Sequence, residues 1–327
     1  MDTDFRPGIP NGWYAVAFSK ELDVGEVKRV KAFGEELVLF RGRSGKARVL
    51  SAYCAHLGAH LAEGGRVAGD SVRCPFHAWT YDGESGDCVS IPYCARVPKN
   101  ARQRAWAVDE VNHMIWAWHH AEQKPPTYNI TPCPHFENAE WSNPRTFEVE
   151  IPVHVQDMAE NNMDPVHFRY VHSMNDVPDQ EISFEEEGRV LKAVSYSQQE
   201  TPWGTFDMQL LRESECLGHA TVESRGIPTV GLFMSSSTTP VDRHTSISRW
   251  ALIGTNNAID EAGEEWIANI TGGIEDDRRI WSNKIHRKDP VFCEADTYLA
   301  EFRKWVKQFY SPDQQPGAVD GLALEEV

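Results

Sequence analysis

Four side chains near the N-terminus carry the clearest chemistry: Cys54, His56, Cys74 and His77, in the strings YCAHLG and VRCPFHAW. They form a C-x-H pair and a C-x-x-H pair separated by seventeen residues. Two thiolates with two imidazoles suit a [2Fe–2S] cluster in which cysteine holds one iron and histidine the other. Neutral imidazoles in place of anionic thiolates raise the reduction potential and leave ring nitrogens able to titrate. Structural zinc is the alternative, but it usually draws on C-x2-4-C and H-x3-5-H pairs. Mixed pairs fit that pattern poorly. Turn formers surround both pairs, Gly58, Gly64 and Gly65 about the first and Pro75, Asp82 and Gly83 about the second, so loops between strands must present them.

A second constellation lies in QDMAENNMDPVHFRYVHSM, where Asn161, Asp164, His167 and His172 follow an N-x-x-D-x-x-H-x4-H order. Two imidazoles and one carboxylate make the facial triad of non-haem Fe(II), which leaves coordination positions open. Asp164 precedes Pro165 and is expected to cap a helix that starts there, with His167 in its first turn. His172 would lie about 140° around an ideal helix from His167, so the helix must bend or end for both rings to meet one metal. These residues could equally be ordinary polar groups on a solvated helix. The third ligand is expected from a later helix. There Trp266, Ile270, Ile274, Asp277, Trp281 and Ile285 recur at helical spacing, placing a carboxylate in an apolar stripe. Asp277 is the candidate, because a buried carboxylate needs a metal or a cation, the alternative being an ion pair with an arginine. Glu275 and Asp276 fall off the stripe and should face water.

The elements that must position these groups follow from patterning. Residues 13–120 read as short strands, with candidates at 37–40, 48–53 and 114–118. Pro125, Pro126, Pro132, Pro134 and Pro144 mark a connector, so the expected domains are 1–122, a Pro-rich connector 123–144, and 145–327. Alternation at Phe147, Val149, Ile151, Val153 and Val155 predicts a strand, with more at 189–197, 205–212, 219–225, 229–236 and 245–254. Helical patterns cover 261–286 and 294–309. The fold class is α+β, an all-β N-terminal domain preceding a many-stranded sheet with helices on one side.

A net charge of −17 argues against a nucleic-acid partner. No apolar run reaches the roughly 18 residues of a membrane span. The opening residues lack a secretory layout, so a cytoplasmic location is expected, with Cys88, Cys94, Cys133, Cys216 and Cys293 as reduced thiols.

The two loop motifs resemble those of Rieske proteins. Ala59 and Phe76 stand where respiratory members carry a disulfide, which points to the oxygenase or ferredoxin branch. With the second constellation added, the chain resembles the oxygenase component of the Rieske non-haem iron oxygenases over nearly its whole length. DPVHFRYVH at 164–172, DDRRIWSNK at 276–284 and FRKWVKQFY at 302–310 are most similar to the 3-ketosteroid 9α-hydroxylase and cholesterol 7-desaturase group. The resemblance implies a Rieske domain followed by a START-like, helix-grip catalytic domain. It implies one [2Fe–2S] cluster on Cys54, His56, Cys74 and His77, and one Fe2+ on His167, His172 and Asp277. Asp164 and Asn161 are the implied catalytic residues, Asp164 as a bridge from His167 to the partner subunit's His77 in a homotrimer.

A ferredoxin-type reductase would supply the electrons, so NAD(P)H is needed only indirectly, and O2 is the co-substrate. The implied reaction is hydroxylation or desaturation of a hydrophobic, steroid or sterol-like substrate. The chain is shorter than the ketosteroid hydroxylases, which leaves the exact substrate open. Met163, Phe168, Tyr170 and Met174 suit an apolar ligand and equally suit core packing. Arene hydroxylation, O- or N-demethylation, and an electron carrier fused to a lipid-binding module are the other readings.

Overall fold

In a computed structural model of the chain, residues 6–314 are described except 202 and 203. They form two compact units, one of Gly12–Pro132 and one that joins residues 6–11 to residues 133–314. The expected connector is therefore parted at 132/133. The N-terminal stretch goes with the second unit because Gly8 and Asn11 donate backbone hydrogen bonds to the carbonyls of Gln314 and Phe309.

The first unit is three small antiparallel sheets. Gly12–Phe18 (β1) pairs with a hairpin partner that comes late in the unit. Val27–Ala32 (β2), Glu35–Arg41 (β3) and Ala47–Ser51 (β4) form a meander. Arg66–Ala68 (β5), Ser71–Arg73 (β6), Thr80–Asp82 (β7) and Cys88–Ser90 (β8) form a second one. Ala105–Trp106 (β9) closes the first meander, and Val108–Val111 (β10) with Met114–His119 (β11) completes the sheet of β1. Strand formation follows from β-branched and aromatic residues whose faces are buried, as in the wholly buried MIWAWH of β11. Val38, Phe40, Leu50, Leu61, Val72 and Tyr81 make one core, and Cys54 and Cys74 are part of it.

The second unit is built on a seven-stranded antiparallel sheet. Its strands are Arg145–Ile151 (β12), Asp179–Glu185 (β13), Val190–Thr201 (β14), Gly204–Cys216 (β15), His219–Arg225 (β16), Leu232–Pro240 (β17) and Ser246–Gly254 (β18), in the order β12-β18-β17-β16-β15-β14-β13. Two short helices, Val155–Ala159 (α1) and Val166–Tyr170 (α2), sit between β12 and β13. The 26-residue Asn256–Trp281 (α3) and Thr297–Trp305 (α4) follow the sheet.

Three boundaries depart from expectation. The alternation from Phe147 was expected to run to Val155, but β12 stops at Ile151. Pro152 has no N–H to continue a ladder, and the chain turns so that Val155 opens α1. The late helix begins at Asn256 and ends at Trp281, where Asn283 Nδ2 donates to the Arg279 carbonyl and caps it. Ile285 therefore leaves the stripe and is exposed. The last helical pattern is α4 flanked by 3-10 turns at Glu294–Asp296 and Val306–Phe309. Its face Phe302, Trp305, Val306 and Phe309 is buried.

A polar cluster ties α1 to the C-terminal segment. Asp157 is buried, with His286 Nδ1 at 3.2 Å and Lys284 Nζ at 3.4 Å, while Arg303 Nε donates to Glu160 at 2.6 Å. Asp157→Ala removes one partner of a buried pair and leaves the other uncompensated, which is expected to destabilise the protein by about 3–5 kcal/mol in urea denaturation. Burial would raise the Asp157 carboxyl, but the His286 hydrogen bond and the Lys284 charge overcome it and hold it at about 2. Burial holds the nearby His154 at about 4, below its usual 6.5. Both native pKa values lie below those of the unfolded chain, so the unfolded state binds the extra protons. Stability should fall on acidification, first through the window from 6.5 to about 4 and then toward about 2. A midpoint unchanged between neutral pH and pH ~4.5 would contradict this.

Candidate functional site

The two cluster loops are built alike. The Cys54 N–H donates to the Ala59 carbonyl and its own carbonyl accepts from Gly58; Cys74 repeats this with Trp79 and Ala78. Gly58 and Ala78 both sit at positive φ, 74° and 62°, where each loop reverses. For Ala78 that conformation costs about 1–2 kcal/mol, which the closed loop offsets. Each loop thus holds its cysteine inward and swings its histidine alongside the other. Both cysteines are buried free thiols, and the His56 and His77 rings lie 4.8 Å apart. Trp79 stacks on His56 at 4.6 Å.

The Nδ1 atoms of His56 and His77 are buried and have no hydrogen-bond partner. Burial pushes the Cys74 thiol pKa up, so as a bare thiol it stays protonated. Two buried thiols and two orphaned ring nitrogens on these paired loops fit an S2N2 donor set for a [2Fe–2S] cluster. Tyr81 Oη lies 3.1 Å from Cys54 Sγ. A hydrogen bond to a ligand sulfur favours the reduced cluster, so Tyr81→Phe is expected to lower its potential by on the order of 50 mV, read by redox titration.

In the second unit, His167, His172 and Asp277 each place a donor atom within 4.8 Å of the others. The local chain explains how. Asp164 is extended, and its Oδ1 accepts from Val166 N at 2.8 Å, so it caps α2 from the position before Pro165, although the helix opens at Val166, one residue later than expected. His167 follows in the first turn, and its Nδ1 donates to the Asp164 carbonyl at 2.6 Å, which fixes the tautomer and leaves Nε2 as the free lone pair. The helix then ends at Tyr170, and Ser173 takes a positive φ of 57°. That ending brings the His172 ring to 5.1 Å from His167, as the 140° offset required.

Asp277 comes from the buried face of α3, and Glu275 and Asp276 are exposed as expected. The alternative of an arginine partner is not what forms. His172 Nε2 is 3.3 Å from Asp277 Oδ2, and Asn161 Nδ2 donates to Oδ1 at 3.1 Å. Trp281 Nε1 in turn donates to Asn161 Oδ1 at 3.4 Å. Burial lowers the His167 pKa, and the Asp277 hydrogen bond raises that of His172. Two imidazoles and a buried carboxylate that pairs with no lysine or arginine among the described residues fit a 2-His-1-carboxylate iron site.

These three residues line a cavity of about 320 Å³ between α3 and the sheet. Its walls are mainly apolar, with Met158, Leu210, Leu217, Val222, Met234 and Ile274. Of the four apolar candidates near the triad, only Phe168 reaches the cavity. Met163 is buried elsewhere, Met174 is not part of the lining, and Tyr170 is exposed. Arg212 and Trp250 also line the cavity and are not evident from sequence, since a strand arginine reads as solvent-facing. The signal available was alternation along β15, where Leu210, Arg212 and Ser214 share one face.

Two family models match the chain, a Rieske [2Fe-2S] domain over residues 12–101 and a 3-Ketosteroid 9alpha-hydroxylase C-terminal domain over residues 117–310. A cholesterol 7-desaturase of Bombyx mori is 32% identical over 329 residues, which cover 95% of this chain and 72% of that one. The oxygenase component of a 3-ketosteroid-9-alpha-monooxygenase of Rhodococcus rhodochrous is 28% identical over 326 residues, 91% of this chain and 83% of that one. Among solved structures, dicamba monooxygenase bound to dicamba superposes with a TM-score of 0.76 at 17% identity, covering 93% of this chain and 98% of that one. Pseudomonas putida CBB5 NdmA with caffeine gives 0.70 at 20% identity, covering 90% and 89%. These two likenesses show the fold.

Proposed function

We propose, because the chain belongs to the Rieske non-haem iron oxygenases with a catalytic domain of the 3-ketosteroid 9α-hydroxylase kind, that it hydroxylates or desaturates a steroid or sterol-like substrate. Members of this family are oxidoreductases that carry one Rieske cluster and one mononuclear iron, and an oxygenase component needs a reductase. The carrying observation is the convergence of His167, His172 and Asp277 on an apolar cavity of about 320 Å³, within the usual range for small-molecule sites.

When bound, the cluster would supply electrons singly and the mononuclear iron would supply the chemistry that activates dioxygen. Cys54, His56, Cys74 and His77 would hold the first group, and His167, His172 and Asp277 the second. Asn161 fixes one oxygen of Asp277 and is itself held by Trp281, so the carboxylate presents its other oxygen toward His172. The Asp164 carbonyl sets the His167 tautomer, while its carboxylate caps α2 and lies 4.0 Å from His167 Nδ1 at Oδ2. In the homotrimer that the resemblance implies, supplied by a ferredoxin-type reductase, this carboxylate would be the bridge from His167 to the partner subunit's His77. The apolar wall orients the substrate and excludes water. Among the described residues no helix is long and apolar enough to cross a membrane.

The test is mass spectrometry of products formed with a surrogate reductase and 18O2 from a panel of sterols, 3-ketosteroids and aromatic acids. Conversion confined to the steroid arm supports the reading; conversion confined to the aromatic arm overturns it.

A further inference from the structure

Two adjacent glycines, Gly272 and Gly273, stand in the interior of α3. Glycine is unfavourable inside a helix because it loses the most backbone freedom on folding, and two in succession weaken α3 twice. They face different surroundings. Gly272 is exposed, and a Cβ built on it would meet nothing within 4 Å. Gly273 is half-buried, lines the cavity, and lies one turn before Asp277 on the same face. A Cβ built on Gly273 would meet two atoms, Cε1 and Nδ1 of the His172 ring, each at 3.5 Å.

The His172 ring therefore faces α3 at two successive turns. Its Nδ1–Cε1 edge lies over the bare backbone at Gly273, and its Nε2 is 3.3 Å from Asp277 Oδ2. Both relations depend on how closely α3 approaches the ring. A separation of 3.5 Å is ordinary van der Waals contact, so a methyl group fits there without displacing anything. A β-branched side chain adds two carbons beyond Cβ, and its stiff χ1 in a helix leaves it no other rotamer to retreat to. Such a residue would push His172 and α3 apart, and Asp277 would move with the helix.

We infer that Gly273 is a positioning residue for the metal site. Its missing side chain lets α3 and His172 close to within a methyl group's width, and that approach brings Asp277 to the ring that shares its metal. Gly272, exposed on the same turn, has no such part. The inference rests on the iron site proposed above and extends it to a residue that has no ligating side chain.

The test is anaerobic calorimetric titration of Fe2+ into cluster-loaded protein whose mononuclear site has been stripped of metal, comparing Gly273→Ala and Gly273→Val with Gly272→Ala and Gly272→Val. Each matched pair makes the same change in helix propensity on a different face, so an effect on helix stability alone does not separate its members. Gly273→Ala and both Gly272 variants should bind Fe2+ within about threefold of the wild type, while Gly273→Val should bind it roughly 10- to 100-fold more weakly, the range for losing support to a metal ligand. Equal Fe2+ affinity in Gly273→Val and Gly272→Val overturns the inference and leaves the iron site standing. Should Gly273→Val not fold, Gly273→Ser beside Gly272→Ser carries the same comparison, with the weaker binding again expected at 273. A wild type that takes up no Fe2+ overturns the site itself and the inference with it.

Discussion

Asp277→Ala abolishes product formation while leaving the visible spectrum of the cluster unchanged. The two outcomes separate because Asp277 lies in the second unit and the cluster residues lie in the first. Asp277 is 8% exposed, and among the described residues its neighbours are His172 and the Asn161 amide, with no lysine or arginine paired to it. A carboxylate so placed is unfavourable until a metal compensates it. Its removal therefore takes away one of three ligands without leaving an unpaired charge, and the fold should tolerate it. Asn161→Ala is a milder version. It frees Asp277 Oδ1 and orphans Trp281 Nε1, and loss of such a supporting contact lowers metal affinity or activity by about 10- to 100-fold. Activity within twofold of wild type in Asp277→Ala would refute its assignment as a ligand.

Asp164→Asn should retain both metals and an intact cluster spectrum but lose substrate oxidation coupled to cluster reoxidation, by about 10- to 100-fold. The choice of asparagine matters. Asp164 does two separable things, capping α2 through Oδ1 and setting the His167 tautomer through its backbone carbonyl. Alanine would remove the cap, worth about 1 kcal/mol, and disturb the helix that carries His167. Asparagine caps nearly as well and leaves the backbone contact in place, so it tests the carboxylate alone. The proposed bridge to the partner subunit's His77 needs that carboxylate. Rapid reoxidation of the reduced cluster by O2 in the presence of substrate, at the wild-type rate, would exclude the bridge.

How far the chain disclosed this site depends on the range of each signal. The cluster residues were legible because C-x-H and C-x-x-H are local, and each closes its own loop through hydrogen bonds four and five residues along. Asp164 as a cap was legible for the same reason. Asp277 required an inference across more than a hundred residues, and it was reached because a carboxylate in the stripe of Ile270, Ile274 and Trp281 contradicts its surroundings. The end of α3 was misplaced because Ile285 keeps the helical period, while the Asn283 side-chain cap that stops the helix leaves no periodic trace. Val153 and Val155 kept the strand period past the point where Pro152 ended the ladder.

The cavity wall was the least legible part. Leu210, Val222, Met234 and Trp250 come from four different strands, and only their registry across the sheet makes them neighbours. Arg212 was hidden further, because alternation alone cannot say which face of β15 is enclosed. Met163 and Tyr170 are close to the ligands in sequence yet do not line the cavity, since the 3-10 turn Glu160–Met163 and α2 point adjacent residues in different directions.

The most direct measurement is the iron and acid-labile sulfide content of the purified, reconstituted protein beside Asp277→Ala. A cluster on Cys54, His56, Cys74 and His77 together with a separate iron on His167, His172 and Asp277 predicts about three irons and two sulfides per wild-type chain, and about two of each in the variant. About two irons and two sulfides in both proteins would contradict a second metal centre and leave the His167, His172 and Asp277 cluster without the role assigned to it.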